Sequence, residues 1–254
     1  KNYFRNLVAE NQNNPKKLWS TMNSLLGRRE NLTLPVHNSL PDLCKSFLTF
    51  FNDKIATLCL KLPAPYINPF SLPHNKPPIL SAFLPTTPDE IKKIIDMSSD
   101  STCLLDSIPT TLLKSCVDIL ASPISNFINL SLQEGIFPDS FKHALLKPIL
   151  KNSNLSPDEM SNYRPISNLT ATSKFLERVI YTRLVAHLES FKTYSPFQSA
   201  YRRFHSTETA LLRIQNAILC AMDNQQLTAL VLLDLSAAFD TIDHNILIHR
   251  LENW

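Results

Sequence analysis

Between Leu227 and His244 the chain reads Leu-Thr-Ala-Leu-Val-Leu-Leu-Asp-Leu-Ser-Ala-Ala-Phe-Asp-Thr-Ile-Asp-His, and the residue here best placed for chemistry is Asp234. It follows an apolar run, Ala229 to Leu233, whose length predicts a strand buried on both faces. Active-site groups in such sheets tend to sit at the carboxyl ends of strands. Desolvating an unpaired carboxylate there costs several kcal/mol, so Asp234 needs a cation, a metal or water beside it. The residue types leave a second role open, a strand-end Asp paired with a Lys or capping a helix. Asp240 and Asp243 fit the humbler role, because Asp at a helix start caps free N–H groups at the positive end of the dipole.

Two other clusters carry charge suited to polyanions. Phe197-Gln198-Ser199-Ala200-Tyr201-Arg202-Arg203-Phe204-His205 interleaves cations with rings, the combination used by single-strand nucleic-acid binders. His205 is the one His near it and reads as structural. Upstream, Ala144–Lys151 and Tyr163–Ser167 have extended character around a polar turn, which predicts a hairpin with Lys151 on one arm and Arg164 on the other. A surface Arg on a hairpin explains Arg164 equally well on composition alone, and Lys147 competes with Lys151.

The pattern Asp234, four residues, Phe239-Asp240, then Asp243-His244 resembles the first carboxylate motif of reverse transcriptases, in the form carried by non-LTR (LINE-like, CR1/L2-type) retrotransposons. Asn162-Tyr163-Arg164-Pro165-Ile166-Ser167 looks like the first motif of that family. Gln198-x-Ala200-Tyr201-Arg202 before Ser206-Thr207 looks like the second, with Ala200 where the family pattern has Gly. Residues 103–135 resemble the segment just upstream of the polymerase core. The resemblance implies that Asp234 ligates both catalytic metals and that Phe239 is the aromatic gate excluding a ribose 2′-hydroxyl. It also implies that Lys151 and Arg164 hold the incoming triphosphate, where a bidentate Arg suits charge building on pyrophosphate. Gln198, Tyr201, Arg202 and Arg203 would bind nucleic acid. The implied activity is RNA-directed DNA synthesis with Mg²⁺ or Mn²⁺, an RNA template, a DNA primer and dNTPs.

That chemistry uses two divalent ions roughly 3.5–4 Å apart, which need more than one carboxylate. No Asp-Asp pair occurs in the 254 residues, so the aromatic-x-Asp-Asp hairpin of the family is missing. The expectation is therefore a fragment cut within the palm and inactive alone. A chain ending inside a helical pattern at Trp254 agrees. Two competing readings exist. Phosphatases of the haloacid-dehalogenase type also end an apolar strand on Asp, but use Asp-x-Asp, and Ser236 stands at the second position. The other is a non-catalytic RNA-binding or structural remnant of a retroelement, in which Asp234 does not matter.

The elements that must position these residues follow from periodicity and punctuation. Residues 1–60 read as a helical arm, with Leu18, Met22, Leu25 and Leu26 before Gly27, then Phe47, Phe50, Phe51 and Ile55. Residues 61–86 read as a proline-rich linker. Residues 87–136 read as a helical region: Thr87 caps its first helix with Pro88 at the first position and Glu90 reaching back, two apolar helices part near Ser122-Pro123, and Gly135 ends the last. Residues 137–254 complete the expected fold, an α/β right-hand polymerase with fingers and a partial palm. Phe175, Leu176, Val179, Ile180 and Leu184 give the fingers helix its core stripe, and Lys174, Arg178 and Arg183 lie off it. Ser206 caps a further helix whose Ala210, Leu211, Ile214, Ile218 and Ala221 line one face.

Composition narrows the class. A hydrophobic content of 44% supplies a core and excludes a disordered chain, while a net charge of +3 confines any polyanion site to a local patch. Five scattered cysteines predict buried thiols in a reducing compartment rather than zinc or a disulfide framework. With no membrane-length apolar run and no signal-peptide pattern, the expected location is intracellular, in nucleus and cytoplasm, and the four Asn-x-Ser/Thr matches are then incidental.

Overall fold

The computed structural model describes residues 2–10, 15–26, 34–61, 79–235 and 237–253. The expected stop at Gly27 and most of the proline-rich linker fall outside them. The described chain is a mixture of helix with one small sheet. It divides into two compact units, Lys1–Phe50 with Ile149–Arg164, and Phe51–Pro148 with Pro165–Trp254.

The first unit contains α1 (Asn2–Glu10), α2 (Pro15–Leu25) and the start of α3 (Leu40–Lys61). Leu43 and Phe47, one turn apart, are its buried positions on α3. The Phe47 ring meets Tyr163 edge-on, with centroids 5.0 Å apart. Asp158 accepts from the Val36 N–H at 2.9 Å.

The second unit has its core in four helices, α4 (Pro88–Met97), α5 (Thr110–Ser115), α6 (Val117–Glu134) and α7 (Ala171–Ser190). Ile91 and Ile95 of α4, Leu113 of α5, Ala121 and Ile128 of α6, and Phe175, Leu176 and Val179 of α7 form one buried cluster. The spacing of three and four is that of one helix face. Thr87 caps α4, its hydroxyl accepting from the Glu90 N–H at 3.3 Å. The capping box expected here, with Glu90 reaching back to Thr87, is not formed. The Glu90 carboxylate instead accepts from the Thr86 hydroxyl at 2.8 Å and from the Arg183 guanidinium of α7. Asn129 of α6 brackets the Thr86 backbone, accepting its N–H at 2.7 Å and donating to its carbonyl at 3.0 Å.

The break expected at Pro123 falls instead at Cys116, and Pro123 lies inside α6. An interior proline costs roughly 3 kcal/mol, and the Ala121, Ser125 and Ile128 face buried in the core outweighs it. Gly135 ends α6 in the left-handed region at φ 66°. An L side chain would be strained there.

The expected hairpin is present. β1 (Ala144–Leu150) pairs with β2 (Tyr163–Leu169) as the only sheet among the described residues. Asp106 joins its end to the upstream region: one carboxylate oxygen accepts from the Cys103 N–H at 3.0 Å, the other from the Ala171 N–H at 2.8 Å, at the first residue of α7. The Cys103 thiol donates to the Asn168 carbonyl. Both side chains are therefore held by backbone partners within the fold.

Beyond Val179 no described residue is buried. α8 (Thr207–Asp223) forms behind its Ser206 cap, yet Leu211, Ile214 and their neighbours stay exposed. α9 (His244–Asn253) starts on Asp243, whose side chain accepts from Asn245 and Ile246. Three of the five cysteines are exposed, against the expectation of buried thiols. Cys44 and Cys59 sit on outward positions of α3 and Cys220 on α8, where no layer covers them. No described helix is long and apolar enough to cross a membrane.

Candidate nucleic-acid interface

The predicted site residues divide between the two units. Lys151 and Arg164 belong to the first, where the hairpin sets their faces. Tyr163 is buried, so its neighbour Arg164 points to the opposite face and is exposed. The Tyr163 hydroxyl donates to the Pro157 carbonyl at 2.9 Å, and burial pushes the phenol above its ordinary pKa. Lys151 donates its backbone N–H to the Asn162 carbonyl at 2.8 Å and its ammonium to the Ser161 carbonyl at 2.6 Å. One predicted phosphate ligand thus closes the hairpin loop, and the other is open to solvent.

In the second unit Asp234 lies near the end of a segment, 226–235, that has no regular secondary structure and is not a strand. This corrects the expectation of a strand buried on both faces. Leu232 and Leu233 are 81% and 90% exposed. The reason is physical: a lone segment has no ladder to complete and no face to bury, and no described strand lies beside it. The Asp234 carboxylate is solvated, so the need for a counter-cation inferred from burial does not arise. Among the described residues no three His, Cys, Asp or Glu side chains cluster as a metal site. This donor set does not fit a divalent ion by itself.

The aromatic and basic residues are brought together. Ala237, at φ 50°, turns the chain and accepts from the Asp240 and Thr241 N–H groups, which presents Phe239. Phe239 meets the Tyr201 ring edge-on, centroids 6.1 Å apart. The positive backbone angles of the second motif fall on Tyr201 (φ 58°) and Phe204 (φ 61°) rather than at Ala200, so Ala in place of Gly is accommodated. Gln198 is spent locally, donating to the Ala200 carbonyl at 3.1 Å. The Arg202 guanidinium lies 5.7 Å from the Tyr194 ring centre and Arg203 4.7 Å from that of Phe204.

Sequence reasoning passed over Tyr181 and Tyr194, which share this surface with Arg178, a residue it placed only among the basic positions off the apolar stripe. Tyr194 stacks on Arg202, and Arg178 lies 5.4 Å from the Tyr181 ring on α7. Together with Tyr201, Arg202 and Arg203 they line an open groove of about 750 Å³. The spacing of three between Arg178 and Tyr181 on the helix was the available signal for Tyr181.

Arg183, on the same helix, is different. It forms a two-pronged pair with Glu90, one prong of 2.7 Å, and donates to the Leu84 and Pro85 carbonyls at 3.1 Å each. The guanidinium holds the Glu90 carboxyl below the usual range, and Glu90 in turn raises Arg183. Arg183 is a clamp between helices.

Comparison with known proteins agrees with the motif resemblance. Residues 149–254 match the family described as reverse transcriptase (RNA-dependent DNA polymerase). The chain is similar to the RNA-directed DNA polymerase from mobile element jockey of Drosophila melanogaster, 34% identical over 122 residues, 48% of this chain and 13% of that protein. The jockey polymerase of Drosophila funebris is 29% identical over 173 residues, 66% of this chain and 18% of that protein. A probable RNA-directed DNA polymerase from transposon BS of Drosophila melanogaster is 28% identical over 178 residues, 68% of this chain and 19% of that protein. The chain thus spans less than a fifth of the length of these relatives. Residues 149–254, less than half of the chain, are thus similar to the reverse transcriptase family, and the chain is similar to polymerases named for mobile elements.

Proposed function

We propose that this chain supplies the fingers and the first strand–helix unit of the palm to a right-hand polymerase that copies retrotransposon RNA into DNA. The observation that carries the reading is the reverse transcriptase match over residues 149–254. In it, Arg164 and Lys151 hold the triphosphate of an incoming dNTP, and Gln198, Tyr201, Arg202 and Arg203 hold the nucleic acid. Phe239 gates the sugar. Asp234 is the carboxylate offered to Mg²⁺ or Mn²⁺. Because the described donors do not make a metal site, no step through the metal is derived for this chain.

The test is RNA-templated primer extension by the chain joined to a palm segment bearing the aromatic-x-Asp-Asp hairpin. Asp234→Asn is expected to lose on the order of a hundredfold or more in rate, the scale of removing a charge-stabilising group. Full activity in the variant overturns the role of Asp234. A second reading, a non-catalytic RNA-binding module, is favoured by the solvated, unclustered state of Asp234 beside an assembled set of cations and rings. Oligonucleotide binding without extension, indifferent to Asp234→Asn, selects it.

A further inference from the structure

We infer that the outer face of α7 extends the nucleic-acid surface, so that Arg178 and Tyr181 bind a single strand together with Tyr194, Tyr201, Arg202 and Arg203. This rests on the proposed role of residues 198–203, and adds a second wall to it. The sequence leaves Arg178 and Arg183 equivalent, two basic positions off the apolar stripe. The structure separates them. Arg183 is consumed by Glu90 and two carbonyls, whereas Arg178 has no ion pair among the described residues and lines the groove facing the 194–205 loop.

The chemistry of that groove selects its ligand. Its walls carry three arginines against one carboxylate, Glu189, which favours a polyanion. Two of the arginines, Arg178 and Arg202, lie against tyrosine rings that are themselves on the wall. Tyr181 is 49% and Tyr201 77% exposed. Exposed ring faces stack unpaired bases while the guanidinium groups follow the phosphates, and this works for any base sequence. A duplex keeps its bases stacked internally and has no use for the rings.

Binding of fluorescent oligo-U RNA, oligo-dT and a DNA duplex to the full chain, each measured against salt, tests the inference. Both single strands are expected to bind more tightly than the duplex. Arg178→Ala should lower the steepness of log affinity against log salt by about 0.7, the value of one phosphate contact on a single strand. Tyr181→Ala should weaken binding roughly tenfold with the slope unchanged, and Tyr181→Phe should restore it. Glu189→Gln should tighten binding. Arg178 and Tyr181 lie outside the buried cluster, so these changes leave the core intact. Unchanged binding in Arg178→Ala and Tyr181→Ala, while Arg202→Ala weakens it, overturns the second wall and spares the reading of residues 198–203. Equal affinity for the duplex overturns the single-strand assignment. No binding of any oligonucleotide overturns both the inference and the reading beneath it.

Discussion

At the scale of single residues, Glu90 and Arg183 join α4 to α7 across 93 positions of sequence. Their side chains are 28% and 14% exposed, so the pair is shielded enough to matter but not wholly desolvated. Replacing Arg183 with Ala leaves Glu90 half-buried with the Thr86 hydroxyl as its hydrogen-bond partner and only the more distant charge of Lys93, and should cost about 2–3 kcal/mol, below the range for fully buried pairs. The pair also sets an acid limit. Because Glu90 is held below its ordinary value of 4.5, its contribution is present above that value and is lost as pH falls through the depressed one. Urea midpoints measured from pH 7 down to pH 3 should fall more steeply for the unaltered chain than for Glu90→Gln, which is less stable at pH 7. Parallel curves would show that the pair contributes nothing. None of this was legible beforehand: Arg178 and Arg183 look alike in sequence, and only the partner far upstream tells them apart.

Elements defined by local chemistry were legible and those defined by distant partners were not. Thr87, Gly135, Ser206 and Asp243 each act on residues within a turn or so, and each marks a helix end in the structure. The hairpin follows from its own two arms. The segment before Asp234 has strand composition but needs neighbouring strands, and composition says nothing of whether they are within reach. The same holds for the apolar face of α8. What results is a run of exposed leucines and a valine, Leu230 to Leu233, without charge or proline, which is the pattern that pairs with other chains. Val231→Lys should therefore raise the concentration at which the chain stays monodisperse by light scattering, with no change in unfolding midpoint, since Val231 is 76% exposed and packs in no core. A drop in stability instead would mean that this side chain is buried.

For the whole molecule, the boundary of the family match and the boundary of the folded core do not coincide. The match begins at residue 149, yet the buried face of α7 rests on α4, α5 and α6, all upstream of it. Phe175, Leu176 and Val179 are almost fully buried only because Ile91, Ile95, Leu113 and Ile128 cover them. Removing residues 79–148 exposes these three side chains at a cost of roughly 1.5–3 kcal/mol each, and also removes Asp106 from the start of α7 and Glu90 from Arg183. Residues 149–254 expressed alone should thus show helix by circular dichroism but no cooperative thermal transition. In the full chain, amide exchange should be slowest in α4, α6 and α7 and fast throughout 191–253, because protection follows buried contacts and those stop at Val179. Slow exchange in 226–235 would show that this segment has found strand partners, and with them the burial that gives Asp234 its chemical purpose. A sharp transition in 149–254 alone would show that α7 folds without the upstream helices.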